Sequence, residues 1–316
     1  MPILQPSPAT IGQCVTALQQ DALIGLPTET VYGLAANALS EAALAKIYEA
    51  KARPKFNPLI CHIADIDAAV KLGDFNADAH ILAAAFWPGA LTLIVPRLPD
   101  CPVALLASAG LPTLALRVPS HPLMQQILQK FAAPIAAPSA NPSGRLSPTT
   151  ARHVADLLPK LPVLDGGDCA IGLESTIIGC IDENPILLRA GGVARDDIEN
   201  VLQKKLRTMK NQQSEQALLA PGQLAQHYAP RCTLHINCRA VGDKIWLGFG
   251  AQDSKADANL SASGNLTQAA ANLFAMLHQL DNEAVKQGRD LAVSPIPHIG
   301  LGEAINDRLE RAAQKC

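Results

Sequence analysis

Four stretches of this 316-residue chain gather side chains that could do chemistry. The first, LPTETVYGL at 26–34, carries Thr28, Glu29, Thr30 and Tyr32 just past an apolar strand. Ligands of open α/β sheets collect at such strand ends. An ordinary polar loop with a helix cap would use the same residue types. The second, KARPKFNPLICHIAD at 51–65, sets Lys51, Arg53 and Lys55 after a helix that Pro54 stops, and a strand then delivers His62. A helix dipole alone accounts for cations at its C-terminus. The same cations would also clamp phosphate, with Arg53 as the planar fork and Asn57 adding an amide. On its own, His62 reads as a satisfied core histidine.

The third stretch, PIAAPSANPSGRLSPTTARHVADLL at 134–158, runs from a small-residue strand through Ser139, Asn141, Ser143, Gly144 and Ser147. Pro148 would then stand at the first helical position with Ser147 as N-cap. Short hydroxyls, a glycine and free N–H groups before a helix also resemble an anion cradle. It is not a Walker A loop. The fourth group is two arginines, Arg117 in LPTLALRVP and Arg189 in ILLRAGGV, each delivered by an apolar strand. An inward arginine is costly unless paired. Glu29, Asp165 or Glu174 would serve, and so would a bound anion. No G-x-S-x-G elbow or H-E-x-x-H pair is present. In CTLHINC, strand geometry puts His235 opposite Cys232 and Cys238, against a metal reading. GLG at 300–302 lacks the full dinucleotide fingerprint.

The elements that must position these residues follow an α/β pattern. Apolar runs predict strands at 23–26, 59–63, 91–95, 114–118, 135–137, 176–180 and 186–188. Helices are expected after Ser40, near His121, near Pro148 and over 194–205. From 207 to 231 the chain turns polar and ends in PGQLAQHYAPR, which composition alone reads as a flexible linker. Strands at TLHIN, KIWLGFG and DLAVSP and helices over 266–280 and 303–313 make a smaller unit beyond it. The expected domains are therefore 1–206 and 232–316, joined by 207–231. Lys and Arg total 26 against 28 for Asp and Glu, which argues against a protein held mainly by a nucleic-acid backbone. No apolar run approaches the roughly 18–20 residues of a membrane span, and no signal peptide is visible. Eight cysteines without a C-x-x-C complete the expectation of a reduced, cytoplasmic protein.

Taken together and in order, PTETVYGLAANA, KARPKFNPL, FWPGALTLIVP, LALRVPSHP, APSANPSG, LESTIIG and LLRAGG resemble the YrdC-like family of threonylcarbamoyl-AMP synthases. HYAP and GLGEAINDRLERAA resemble its long form, which carries an additional C-terminal domain. The resemblance implies a twisted, open, mixed α/β sheet around a concave positive cavity, plus a smaller Rossmann-like α/β domain. It implies ATP, L-threonine and bicarbonate as substrates, and threonylcarbamoyl-AMP and pyrophosphate as products. By motif position, Thr30, His62, Arg117, the backbone at Ala137 and Ser175 would hold threonine. Lys51, Arg53, Asn57, Thr113, Ser139, Asn141, Ser147 and Arg189 would hold ATP, with Lys51 and Arg53 the catalytic cations. Tyr228 would reach over the nucleotide, which turns the linker into a lid.

Mg²⁺ is implied on the ATP phosphates rather than in a protein cage, so no metal-ligating residues are assigned. Further partners would be tRNA or the proteins of downstream threonylcarbamoyl transfer, with no membrane. The family usually has glycine where Ala35 and Ala52 stand. An added methyl is expected to be tolerated if neither backbone needs a positive φ. Two rivals stay open from the sequence: an RNA-binding module with a positive cavity, and a carbamoyl-phosphate hydrolase or transferase on the same scaffold. A nucleotide-binding regulator without turnover is a third.

Overall fold

The computed structural model describes residues 3–54, 56–208, 227–239 and 242–314. Eleven strands build one mixed sheet: β1 (Ile3–Leu4), β2 (Ile24–Leu26), β3 (Gly33–Asn37), β4 (Ile60–His62), β5 (Leu91–Pro96), β6 (Thr113–Arg117), β7 (Ile135–Ala136), β8 (Val163–Leu164), β9 (Thr176–Gly179), β10 (Ile186–Arg189) and β11 (Arg207–Thr208). Their spatial order is β1-β8-β2-β3-β7-β4-β6-β5-β9-β10-β11. The expected open mixed sheet is present, and each strand read from the sequence lies within two residues of its expected ends. β11 is a difference, since Arg207 and Thr208 stood at the head of the polar linker. Arg207 N–H donates to Pro185 O at 3.0 Å and the pair lies parallel to β10, so an edge ladder captures two polar residues.

Register explains why one edge of this sheet collects chemistry. β4 and β6 are parallel, with His62 beside Arg117 at their carboxyl ends. β5 runs antiparallel to β6, and β9 runs parallel to β5, so the starts of β5 and β9 return to the same edge. β10 runs back along β9 and places Arg189 beside Ile177. His62, Arg117, Ser175 and Arg189 therefore converge from four different strands. The strands that carry them are buried on both faces, which fits their continuous apolar runs.

Helices α1 (Pro8–Gln19), α2 (Glu41–Lys51), α3 (Ile66–Ala69), α4 (Ala77–Phe86), α5 (Pro122–Phe131), α6 (Ala151–Leu157) and α7 (Arg195–Leu202) flank the sheet. α2 starts at Ser40, whose hydroxyl accepts from Ala43 N–H at 3.2 Å, and buries Ala43, Leu44, Ile47, Tyr48 and Lys51. It ends at Ala52 in the left-handed region, φ 48° and ψ 42°. The condition for tolerating alanine there fails: this is the backbone that favours glycine, and a Cβ costs about 1–2 kcal/mol. Ala35 is extended within β3, where the methyl carries no such penalty.

The helix expected from Pro148 begins three residues later. Thr150 is the N-cap, its hydroxyl accepting from His153 N–H at 3.1 Å. Ser147 is taken by another partner: its hydroxyl donates to Glu174 Oε1 at 2.5 Å, and Pro148 O accepts from Tyr32 N–H at 2.9 Å. Those bonds hold 147–148 extended, so the helical turn waits until 151.

The remaining strands are β12 (Leu234–His235), β13 (Lys244–Gly248), β14 (Ala258–Asn259) and β15 (Asp290–Val293), all parallel in the order β12-β15-β13-β14. α8 (Leu266–Gln287) and α9 (Gly302–Ala313) complete this smaller α/β unit. α8 buries Ala269, Ala270, Leu273, Phe274, Leu277 and Leu280 at helical spacing. Its core continues into the larger unit through Val31, Leu146, Leu173 and Tyr228. At Gly172 (φ 71°) a Cβ would stand 2.5 Å from Ala271 O, so the joint needs a residue without a side chain.

Candidate active site

The sheet edge opens into a cleft lined by residues from several strands and loops, with polar side chains converging on it. Its floor is a hydrogen-bond chain whose direction can be worked out. Arg117 Nη1–H donates to Thr30 Oγ1 at 2.9 Å, and Thr28 Oγ1 donates to Val31 O at 2.7 Å. The 2.8 Å bond between the two threonine hydroxyls must therefore run from Thr30 to Thr28. Arg117 also donates to Glu29 Oε1 at 2.6 Å and Gly89 O at 3.0 Å. Burial works to raise the Glu29 carboxyl, but the Arg117 charge and hydrogen bond overcome it and hold the group below its usual range. Glu29 Oε2 keeps no hydrogen-bond partner.

His62 lies beside this chain, 2% exposed, with Nδ1 unpartnered. Burial, with Arg117 adding repulsion, pushes its pKa down to about 3, so the ring is neutral at physiological pH. The bare nitrogen is an open hydrogen-bonding position beside the cleft. Thr30, His62, Arg117, Ala137 and Ser175 all line the one cleft. Ala137 is fixed through its N–H to Ile60 O at 3.1 Å.

Cations of a different kind stand in and behind the cleft wall, Arg53 and Arg189 in its lining and Lys51 behind it. Among the described residues, Lys51, Arg53 and Arg189 form no ion pair and are held by neutral oxygens. Lys51 Nζ donates to Ser139 O and Asn141 O, both at 2.5 Å. Arg53 donates to Asn57 O and Pro58 O at 3.1 and 2.9 Å. Arg189 Nη2 reaches Ser175 O at 2.9 Å and its hydroxyl at 3.2 Å. Burial drives Lys51 well below the ordinary lysine range, with Arg53 adding repulsion, and brings Arg53 down to about 10. Glu174 is the nearby carboxylate for Lys51 and Arg189, and it is one charge against several buried cations, a balance that a bound anion would improve.

The remaining expected residues divide. Arg53, Ser139, Arg189 and Tyr228 line the cleft, whereas Lys51, Asn57, Asn141 and Ser147 are buried behind its wall. Asn57 is 1% exposed with neither side-chain polar atom paired. Asn141 shapes its own turn by donating to Pro142 O and Arg145 O at 3.1 and 2.8 Å. Thr113 is buried at the start of β6, outside the cleft lining and at the opposite end of that strand from Arg117. Tyr32 is structural, donating to Gly167 O at 2.8 Å.

Most of the expected lid, 209–226, lies outside the described residues. Its end is described: Tyr228 is 1% exposed, lines the cleft and adopts a positive φ of 64°. A left-handed tyrosine persists only where its surroundings hold it. Phe274 packs on it at 5.4 Å between centroids, Arg308 lies 5.3 Å from its ring centre, and Ala229 N–H donates to Gly144 O at 2.7 Å. His227 and Glu174 also line the cleft, and neither was singled out for the site from the sequence. Burial pushes the His227 ring to about 3 despite the opposing pull of Glu174. Its position beside Tyr228 in HYAP was the available signal.

Comparison with known proteins gives a consistent picture. The family model described as telomere recombination (Sua5, YciO, YrdC) matches residues 16–191. A second, the C-terminal domain of threonylcarbamoyl-AMP synthase, matches 193–314. Threonylcarbamoyl-AMP synthase of Bacillus subtilis is 38% identical over 96% of this chain and 92% of its own length. That of Pyrococcus abyssi is 36% identical over 94% and 92%. The crystal structure of P. abyssi Sua5 complexed with L-threonine superimposes with a TM-score of 0.87 and 34% identity, covering 99% of this chain and 98% of the other.

Proposed function

The chain belongs to the threonylcarbamoyl-AMP synthase family, and from that premise we propose how its cleft converts L-threonine, bicarbonate and ATP into threonylcarbamoyl-AMP and pyrophosphate for tRNA modification. The observation that carries the reading is the division of one cleft into two halves. One side is lined by Thr30, His62, Arg117 and Ser175, and the other by Arg53 and Arg189 with Lys51 behind it, cations that no described carboxylate touches directly.

Arg117 takes the threonine carboxylate, and Thr30, His62, Ser175 and the Ala137 backbone take its polar groups. The neutral His62 ring leaves Nδ1 free for the substrate. A site built to hydrogen-bond the substrate hydroxyl discriminates strongly against analogues that lack it. Bicarbonate takes up a proton and gives carbon dioxide and water, and the threonine amine, as free base, captures the carbon dioxide and loses a proton to give a carbamate. A carbamate oxygen then attacks the α-phosphorus, that P–O bond forms, and the bond to the leaving pyrophosphate breaks. No protein nucleophile is needed. The acceleration comes from holding the two reactants in line and from fixed cations where charge moves. Lys51 and Arg53 receive the phosphates, Arg189 assists, and Ser139, Asn141, Ser147 and Asn57 shape the nucleotide side, while Thr113, at the far end of β6, takes no part in it. Tyr228 closes over the nucleotide and keeps water from the mixed anhydride. In reaction class this is a nucleotidyltransferase.

The two cleft carboxylates are each engaged by an arginine, Glu29 by Arg117 and Glu174 by Arg308. That donor set suits Mg²⁺ brought in on the triphosphate with its own water. When bound, the ion shields phosphate charge. The described cysteines are all free thiols, and no described helix is long and apolar enough to cross a membrane, which supports a cytoplasmic placement. The test is pyrophosphate release from Mg·ATP with bicarbonate, offering each amino acid singly. Release that requires both threonine and bicarbonate, and is lost in Lys51→Ala, is expected. A folded, ATP-binding protein that releases none with threonine would overturn the proposal.

A further inference from the structure

The largest fully buried side chain among the described residues is a cation from the smaller unit, Arg308 on α9. It sits on that helix's apolar stripe with Ile305, Leu309 and Ala312, yet its guanidinium leaves its own unit. Nε donates to Glu174 Oε2 at 2.9 Å and Nη1 to Ala190 O at 2.7 Å, while the guanidinium carbon lies 5.3 Å from the Tyr228 ring centre. Asp307 takes a further bond from Nη1 at 2.7 Å. Glu174 in turn accepts from the Ser147 hydroxyl at 2.5 Å, and Ser147 O accepts from His278 Nε2–H of α8 at 3.1 Å. Two helices of the C-terminal unit thus reach the same serine, one directly and one through a carboxylate.

Glu174 lines the cleft that must receive a polyanion, and an uncompensated carboxylate there would oppose it. Burial alone would raise this carboxyl. Arg308 first and Arg189 next reverse that, and with the Ser147 bond they hold it down near 2. Among the influences that keep the carboxylate ionised and available to Ser147, the largest is a cation from the other unit.

We propose that Arg308 is a positioning residue for the nucleotide half of the cleft, cancelling the charge of Glu174 and fixing Glu174, Ser147 and Tyr228, so that the C-terminal unit is a working part of the ATP site. Arg308 acts through Glu174 and Tyr228 rather than on the reacting atoms. The inference rests on the synthase reading above. Besides Arg308, Glu174 faces Arg189 from β10, Lys51 from α2, and His227 and Tyr228 from the segment before β12.

The experiment compares the full-length wild type, Arg308→Met and Arg308→Met with Glu174→Gln. Mg·ATP binding is read by calorimetry, and KM for ATP and for threonine from pyrophosphate release. Arg308→Met is expected to weaken ATP binding more than about tenfold, by the repulsion of a buried carboxylate that has lost its paired cation, with the threonine KM nearly unchanged. Its ATP affinity should recover as pH falls from 8 toward 5, where the orphaned carboxyl takes up a proton, a trend absent in the wild type. The double variant, which has no charge to cancel and keeps an acceptor for Ser147 but lacks the Tyr228 contact, should recover most of the lost ATP affinity. Should the single variant fail to fold, the double variant decides alone. ATP binding within twofold of wild type in folded Arg308→Met, or a folded double variant still weakened tenfold, would overturn the inference while leaving the synthase reading intact. A wild-type protein that binds no ATP would remove both.

Discussion

Removing Arg117 should separate its structural role from its chemical one. Arg117 and Glu29 meet at 2.6 Å with side chains 4% and 8% exposed, so Arg117→Met leaves a carboxylate in a place water barely reaches. Breaking such a pair from one side costs about 3–5 kcal/mol, most of it the orphaned charge. Gly89 O and Thr30 Oγ1 lose their donors as well, at about 1 kcal/mol each for a typical bond. The orphan limits the damage by taking up a proton, because the Arg117 charge and hydrogen bond are the largest influences holding its carboxyl down against burial, ahead of two backbone hydrogen bonds. The net expectation for Arg117→Met is therefore about 3–5 kcal/mol, read by urea unfolding at pH 7. Adding Glu29→Gln removes the charge and should return all but about 1–2 kcal/mol. Activity should not return with it, since the contact proposed for the threonine carboxylate is still missing. A loss below about 1 kcal/mol in the single variant, or a double variant no more stable than the single, would refute the reasoning.

Two other outcomes follow from the geometry. Ala52→Gly should stabilise the protein by about 0.5–1 kcal/mol, the relief of a left-handed alanine less the extra freedom of unfolded glycine; urea unfolding that finds it destabilising contradicts the strain. His62 and His227 are held neutral down to about 3, whereas unfolded imidazoles titrate near 6.5. Below pH 6.5 the unfolded chain therefore binds more protons, so stability is full above that pH and falls on acidification, by about 1.4 kcal/mol per unit for each ring. Replacing both rings with glutamine should flatten that slope between pH 6.5 and 4, as measured by unfolding at stepped pH.

The sequence made the strands that carry the site legible because they are buried on both faces and read as continuous apolar runs. It hid β3, whose GLAAN has small residues in place of β-branched ones and is a strand because β2 and β7 pair with it. β1 and β8, two residues each, are too short for any period. α1 is written in Ile11, Cys14, Val15 and Leu18 behind Ser7 and Pro8, but no charged face sets that stripe off. Residue types suggested a phosphate clamp at Lys51 and Arg53, but not that Lys51 would bind the Ser139–Asn141 backbone, which is a fact of tertiary register. Glu174 was read only as a partner for arginine. That Arg308, more than 130 residues away, would be that partner had one sequence signal, a charge on an otherwise apolar helix stripe.

The central claim is that one cleft joins a threonine carbamate to the α-phosphorus of ATP. The most direct measurement supplies [13C]bicarbonate with threonine and Mg·ATP and analyses the nucleotide products by mass spectrometry. The account predicts a threonine–AMP adduct that carries the label in its carbamoyl carbon, formed in step with pyrophosphate and absent from Lys51→Ala. An AMP product without label, or pyrophosphate released with no adduct in the wild-type protein, would contradict it.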